Sequence, residues 1–170
     1  MAYAFDTVAV GSDHGGLMLK EAVAAYCRQK GLTVVDCGTE TPESVDYPVY
    51  AEKVCRFVQA HPGSAGILCC GTGIGMSIAA NKFAGIRASV LSDPYSAEMT
   101  RRHNDANVLC LGGRILSPEK ALELADLFLG TAFEGGRHQR RVDMISAIEK
   151  ANGMAGSAPE DEGPEGPETA

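Results

Sequence analysis

Nothing in the 170-residue sequence approaches the ~20 consecutive apolar residues that a membrane span needs. Basic charge is also scarce. The net charge is −7, and residues 152–170 carry five carboxylates and no lysine or arginine. Without that stretch the chain is near −2, which leaves no basic face of the kind nucleic acid demands. There is no Cys-x-x-Cys pair, and the cysteine–histidine spacing suggests no zinc site. The first residues, Met1-Ala2-Tyr3-Ala4-Phe5-Asp6, have neither a charged start nor an apolar stretch, so no secretory signal is expected. The six cysteines (27, 37, 55, 69, 70 and 110) fall in apolar, periodic segments. That placement reads as reduced thiols in a cytoplasm and not as a disulfide framework.

What is present is a regular alternation of short apolar runs and longer amphipathic ones. Strands are expected at Thr7–Gly11, Leu32–Asp36, Ala65–Cys70, Ile86–Leu91 and Asn107–Leu111. Helices are expected over about Gly16–Lys30, Pro48–Ala60, from the glycines after Cys70, from Pro94 to about Arg102, from Ser117 to about Leu129, and over about Gln139–Ala151. Ser92-Asp93-Pro94 and Ser117-Pro118-Glu119 are helix-start signals. Apolar strands alternating with helices predict an α/β fold: a doubly wound, five-stranded parallel sheet in a Rossmann- or flavodoxin-like three-layer sandwich. Residues 1–151 make one domain in this reading. Residues 152–170, rich in Gly, Pro, Ala and Glu, are expected to be a disordered acidic tail with no part in the chemistry.

The strongest local signal is Ile67-Leu68-Cys69-Cys70-Gly71-Thr72-Gly73-Ile74-Gly75-Met76-Ser77. Three alternate glycines let the backbone approach a ligand closely, and the start of the following helix suits a phosphate or an oxyanion. The last gap is too short for a dinucleotide fingerprint, and no Gly-Lys-Ser/Thr follows as in a Walker loop. The bland alternative is a tight strand-to-helix turn. Cys70 as a phosphatase nucleophile would want an arginine six positions on, where Met76 stands. A general base is the better reading. Adjacent strand residues face opposite ways, so only one of the two cysteines faces the site, and Cys70 is nearer the mouth; Cys69 reads as structural.

Three more clusters attract notice. Asp13-His14 follows the first strand; Asp13 reads equally as a helix cap or as a holder of a substrate hydroxyl, and the two are compatible. Arg101-Arg102-His103-Asn104 precedes the fifth strand. The arginines suit a helix end, whereas His103 is apt for proton transfer. Arg137 and Arg141 are four apart on one helical face and could clamp a phosphate, with Arg114 a third candidate. His61 beside Pro62 reads as an exposed loop residue.

With these motifs in view, and with Asp46-Tyr47-Pro48, Asn81-Lys82, Gly85-Ile86-Arg87-Ala88 and Glu134-Gly135-Gly136-Arg137-His138-Gln139, the chain closely resembles the type B ribose-5-phosphate isomerases. These lie within the wider family that includes galactose-6-phosphate isomerase, and the resemblance runs from about Val8 to Lys150. It implies an aldose–ketose isomerase converting ribose 5-phosphate and ribulose 5-phosphate through an enediolate, without metal or organic cofactor. Cys70 matches the base, His103 the ring-opening residue, and Thr72 a helper for the oxyanion or the proton relay. Asp13, His14, Gly71, Thr72, Gly73, Ile74, Gly75, Asn104, Arg114, Arg137 and Arg141 match substrate contacts. Some relatives use a glutamate base where this chain has Met76, so the cysteine-type mechanism is implied. The resemblance also implies a homodimer or homotetramer with active sites between subunits; which residues cross over is left open. Two other functions remain: a six-carbon isomerase acting on allose or galactose 6-phosphate, and a non-catalytic phosphate-binding module.

Overall fold

Thr7–Ser12 (β1) begins a sheet whose other strands are Thr33–Asp36 (β2), Ala65–Cys70 (β3), Ala88–Val90 (β4) and Val108–Gly112 (β5). Between and after them run the helices Leu17–Gln29 (α1), Tyr47–Ala60 (α2), Ile74–Ala80 (α3), Pro94–Asn104 (α4), Pro118–Gly130 (α5) and Arg137–Ala151 (α6). These come from a computed structural model that describes residues 3–154. The sheet order is β2-β1-β3-β5-β4, and every pairing is parallel. The α/β doubly wound sheet expected from the apolar alternation is therefore present. The expected disordered tail at 152–170 lies outside the described residues from 155 onward.

Local chemistry sets the element ends. Asp93 and Ser117 cap α4 and α5, accepting the Ser96 and Lys120 N–H groups at 2.8 and 3.3 Å. The fourth strand is shorter than expected, and the Asn81 side-chain amide covers its open edge, donating to the Ala88 carbonyl and accepting the Ala88 N–H at 2.9 Å each. The last helix starts two residues earlier than expected, at Arg137, since the His138 and Gln139 N–H groups already donate to Gly135 and Gly136 carbonyls.

Each sheet face has its own core. Val8, Val10, Ile67, Cys69, Leu109 and Leu111 pack on one side with Val23, Leu124 and Phe128. Ala9, Leu68, Cys70, Val108 and Cys110 pack on the other with Val54, Val58 and Met76. Strand alternation thus sends Cys69 and Cys70 to opposite layers, as their adjacency requires. Charged side chains enter the packing too, among them Lys20 and Arg101. Lys20 is only 1% exposed. Its ammonium donates to both Asp36 carboxylate oxygens at 2.8 and 2.9 Å and to the Thr39 carbonyl at 2.7 Å, fastening the end of β2 to α1.

All five strands point the same way, so their C-terminal ends share one edge. The chain leaves β1 for β2 on one side and passes to β3 on the other, so the crevice opens between β1 and β3, where such sheets hold ligands. At that crevice the start of α1 lies directly on the end of β3. A Cβ on Gly16 would overlap the carbonyl carbon and oxygen of Cys69. The obstruction is backbone, which no side-chain rotation relieves. Gly16→Ala should therefore cost about 3 kcal/mol or more in urea unfolding; a midpoint equal to the parent protein's would mean that this turn opens freely.

Candidate active site

Three turns meet at the C-terminal edge. From β1 comes Asp13-His14-Gly15-Gly16, from β3 the glycine loop Gly71–Gly75, and from β5 Gly113-Arg114. Backbone hydrogen bonds lock them together: Asp13 N–H to Cys69 O at 3.3 Å, Gly113 N–H to Cys70 O at 2.8 Å, and Arg114 N–H to Gly71 O at 2.9 Å. Asp13 is buried, and its Oδ1 accepts the Gly16 N–H at 3.0 Å. It thus caps the turn that delivers α1, one step ahead of the helix itself, whose N-cap is Gly16. The Arg114 guanidinium lies over Gly71; a Cβ there would stand 3.4 to 3.5 Å from its Nε, Cδ and Cζ.

Cys70 is 5% exposed. Its Sγ accepts the Gly73 N–H at 3.1 Å. Gly73 can turn its amide back onto that sulfur because its φ is +79°, in the left-handed region where a side chain is strained. The peptide N–H is a donor suited to a sulfur bearing negative charge. Thr72 is exposed, and its Oγ1 takes the Ile74 N–H at 3.4 Å. Burial pushes Cys27 up to about 11 and Cys55 up to about 12. Burial likewise raises Cys69, Cys110 and the half-buried Cys37. His14 Nδ1 accepts the Val45 N–H at 3.2 Å, which draws the loop before α2 toward the crevice.

The remaining expected site residues form a second group. His103 and Asn104 end α4, while Arg137 and Arg141 lie in the first turns of α6. The His103 ring stacks on the buried His138 ring, with centroids 4.2 Å apart and planes within 8°. This group adjoins the start of the strands: Arg87, just before β4, donates from Nε to Asn104 O and Asp105 O at 3.0 Å each. Cys70 is level with Gly112 at the far end of β5. The strand alone separates the two ends by about 13 Å. One chain therefore brings Asp13, His14, Cys70, Gly71 to Gly75 and Arg114 together, and holds His103, Asn104, Arg137 and Arg141 apart at the opposite edge.

His103, Glu134 and His138 also offer three donor atoms within 4.8 Å of one another. The sequence spacing hides this trio, since two of its members meet the third only through the packing of α6 on α4. Its surroundings are cationic. Arg137 Nε donates to His138 Nε2 at 3.3 Å, and Arg102 reaches Glu134 Oε1 at 3.4 Å. Burial and then the His103 charge hold the His138 pKa below the usual histidine value. Guanidinium groups at that spot suit an anion better than a metal ion. His138 itself was visible in sequence only as part of a motif; its stacking partner lies 35 positions away.

Residues 8–145 match the family described as Ribose/Galactose Isomerase. The chain belongs to that family. Among relatives in the family, "Ribose-5-phosphate isomerase B" of Escherichia coli is 51% identical over 143 residues, covering 84% of this chain and 96% of the relative. "Probable ribose-5-phosphate isomerase B" of Mycoplasma pneumoniae is 47% identical, covering 83% and 93%. Among solved structures, ribose-5-phosphate isomerase B of Clostridium thermocellum superposes with a TM-score of 0.84 at 47% identity, over 86% of this chain and 99% of that one. The Mycoplasma genitalium enzyme, described with bound ribulose-5-phosphate, superposes with a TM-score of 0.82 at 40% identity, over 85% and 96%. Family membership and the α/β fold inferred from the motifs thus agree with what the chain resembles in sequence and in shape.

The contrast among thiols has a direct test. Limited iodoacetamide treatment at neutral pH, followed by peptide mass spectrometry, should label Cys70 well before Cys27, Cys55, Cys69 and Cys110. Ribose 5-phosphate should slow labelling at Cys70 and leave Cys37 unaffected; equal protection at both would point to a general change in the fold.

Proposed function

We propose that this chain interconverts ribose 5-phosphate and ribulose 5-phosphate through an enediolate, with Cys70 as the base. The observation that carries the reading is a buried thiol held by a glycine-loop amide, beside Asp13 and Arg114, in a chain of this family. Residues 1–151 act as the isomerase domain.

The reaction balances by proton transfer alone. The thiolate takes the proton from C2, and the same proton is returned to C1. The hydroxyl proton moves between O1 and O2, so no electrons leave the sugar. His103 opens the furanose first, giving the free aldehyde on which C2 becomes acidic. Amides of Gly71, Thr72, Gly73, Ile74 and Gly75 hold the developing oxyanion, with the Thr72 hydroxyl at hand for the proton on oxygen. Asp13, His14 and Asn104 hold the sugar hydroxyls. Arg114, Arg137 and Arg141 grip the phosphate, converting binding energy remote from the reacting carbons into orientation.

In this reading the separation of the two residue groups calls for a second copy. Ile74, Ile78, Val90 and Tyr95 are exposed apolar residues, and Val90 touches Gly73 of the glycine loop. A two-fold partner seated on this face would bring His103, Asn104, Arg137 and Arg141 of one copy to Cys70 of the other. A homodimer, or a tetramer built from it, is the assembly in this reading. Six free thiols among the described residues suit a reducing cytoplasm. No helix among the described residues is long and apolar enough to cross a membrane.

A coupled assay in both directions tests the reaction. Cys70→Ala should lower kcat by about 10³-fold while ribose 5-phosphate still binds; normal turnover would reject the sulfur as base. Higher efficiency on six-carbon than on five-carbon phosphates would reassign the substrate. Subunit crossing has its own measurement. Cys70→Ala and His103→Ala proteins, each nearly inactive on ribose 5-phosphate, should regain roughly a quarter of parental activity when unfolded together and reassembled, because a hybrid dimer holds one intact site. Absence of any recovery would place His103 outside the partner's site.

A further inference from the structure

Tyr47 takes no part in the chemistry above, yet its ring rests on the glycine loop. It is the first residue of α2, after the N-cap Asp46 and before Pro48. A Cβ at Gly75 would stand 2.8 Å from Tyr47 Cζ, 2.9 Å from Cε2 and 3.2 Å from Cε1. The hydroxyl-bearing end of the ring therefore lies against the Gly75 backbone, closer than any side chain at that position would permit. Tyr47 is 39% exposed, so it is not filling the core.

The loop needs such a support. An oxyanion hole works because its donors are fixed before charge develops, but Gly71, Gly73 and Gly75 give this loop unusual backbone freedom. Gly75 itself stands in the first turn of α3, a helix of only seven residues, too few to hold that turn firmly by itself. A flat ring with two side-chain torsions can restrain glycine backbone at small entropic cost. The segment carrying the ring is tethered too. Two residues before it, Val45 donates its N–H to His14 Nδ1 at 3.2 Å. The link runs from His14 through its hydrogen bond to Val45, then along the chain to Tyr47 and across to Gly75.

We propose that Tyr47 is a positioning residue that braces Gly75, keeping the loop amides aimed at the enediolate oxygen and tying that aim to His14. The proposal rests on the isomerase reading given above. It assigns the work to the ring and none to the hydroxyl.

Four proteins test it: Tyr47→Phe, Tyr47→Ala, Gly75→Ala and the Tyr47→Ala/Gly75→Ala double variant. Tyr47→Ala should lower kcat about 10- to 100-fold, with KM for ribulose 5-phosphate within about threefold of the parent. Its affinity for a phosphorylated four-carbon hydroxamate, which mimics the enediolate, should fall in step. Inhibition by inorganic phosphate should not change. Tyr47→Phe should match the parent in all three. Gly75→Ala should be impaired alone but add little in the Tyr47→Ala background, since the atoms it collides with are gone. Losses in Tyr47→Phe as large as in Tyr47→Ala would overturn the brace in favour of a direct role for the hydroxyl. Parental kcat in Tyr47→Ala, or strictly additive losses, would overturn it outright. An inactive parent protein would sink the isomerase reading instead, and hydroxamate against phosphate binding would still judge the brace.

Discussion

Backbone laid directly on backbone, with no Cβ between, is the constraint from which this molecule's chemistry follows. The turn after β1 can reach the end of β3 only because position 16 has no side chain to strike the Cys69 carbonyl. The turn after β5 comes as close: a Cβ on Gly113 would stand 2.8 Å from the Gly15 carbonyl oxygen. Once these turns are in contact, the hydrogen bonds from Gly113 to Cys70 and from Arg114 to Gly71 form without further adjustment. The sulfur, the amide loop, a carboxylate and a guanidinium then share one crevice. Three strands of a parallel sheet bring them there, β3 supplying both the sulfur and the loop, and the ends of parallel strands necessarily lie along one edge.

Much of this was legible in the chain. Apolar runs broken at regular intervals by Gly, Pro and Asp marked every strand and helix, because buried parallel strands leave no room for polar residues. Cys70 could be separated from Cys69 by strand alternation alone. The misjudged start of the last helix has a local cause that periodicity does not register: two carbonyls before Arg137 already accept from the N–H groups of His138 and Gln139. Lys20 was hidden for a similar reason. Its partners, Asp36 and the Thr39 carbonyl, are 16 and 19 positions away, and a lysine in an amphipathic helix ordinarily reads as solvent-facing.

The site was legible in its parts and not in their arrangement. Motifs named His103, Arg137 and Arg141 beside Cys70, yet the direction of α4 carries His103 to the strand starts while β3 carries Cys70 to the strand ends. That division follows from the handed alternation of strand and helix, in which each helix runs back across the sheet. A single copy thus holds the two groups of expected site residues at opposite edges. Ile74 and Ile78, beside the glycine loop, are exposed apolar side chains.

The hydrogen bond between Val45 and His14 has a further meaning. With Nδ1 occupied as an acceptor, a neutral His14 must carry its hydrogen on Nε2. The other ring nitrogen is then a donor only: it can give a hydrogen bond to an oxygen lone pair, that of a sugar hydroxyl included, and cannot accept one.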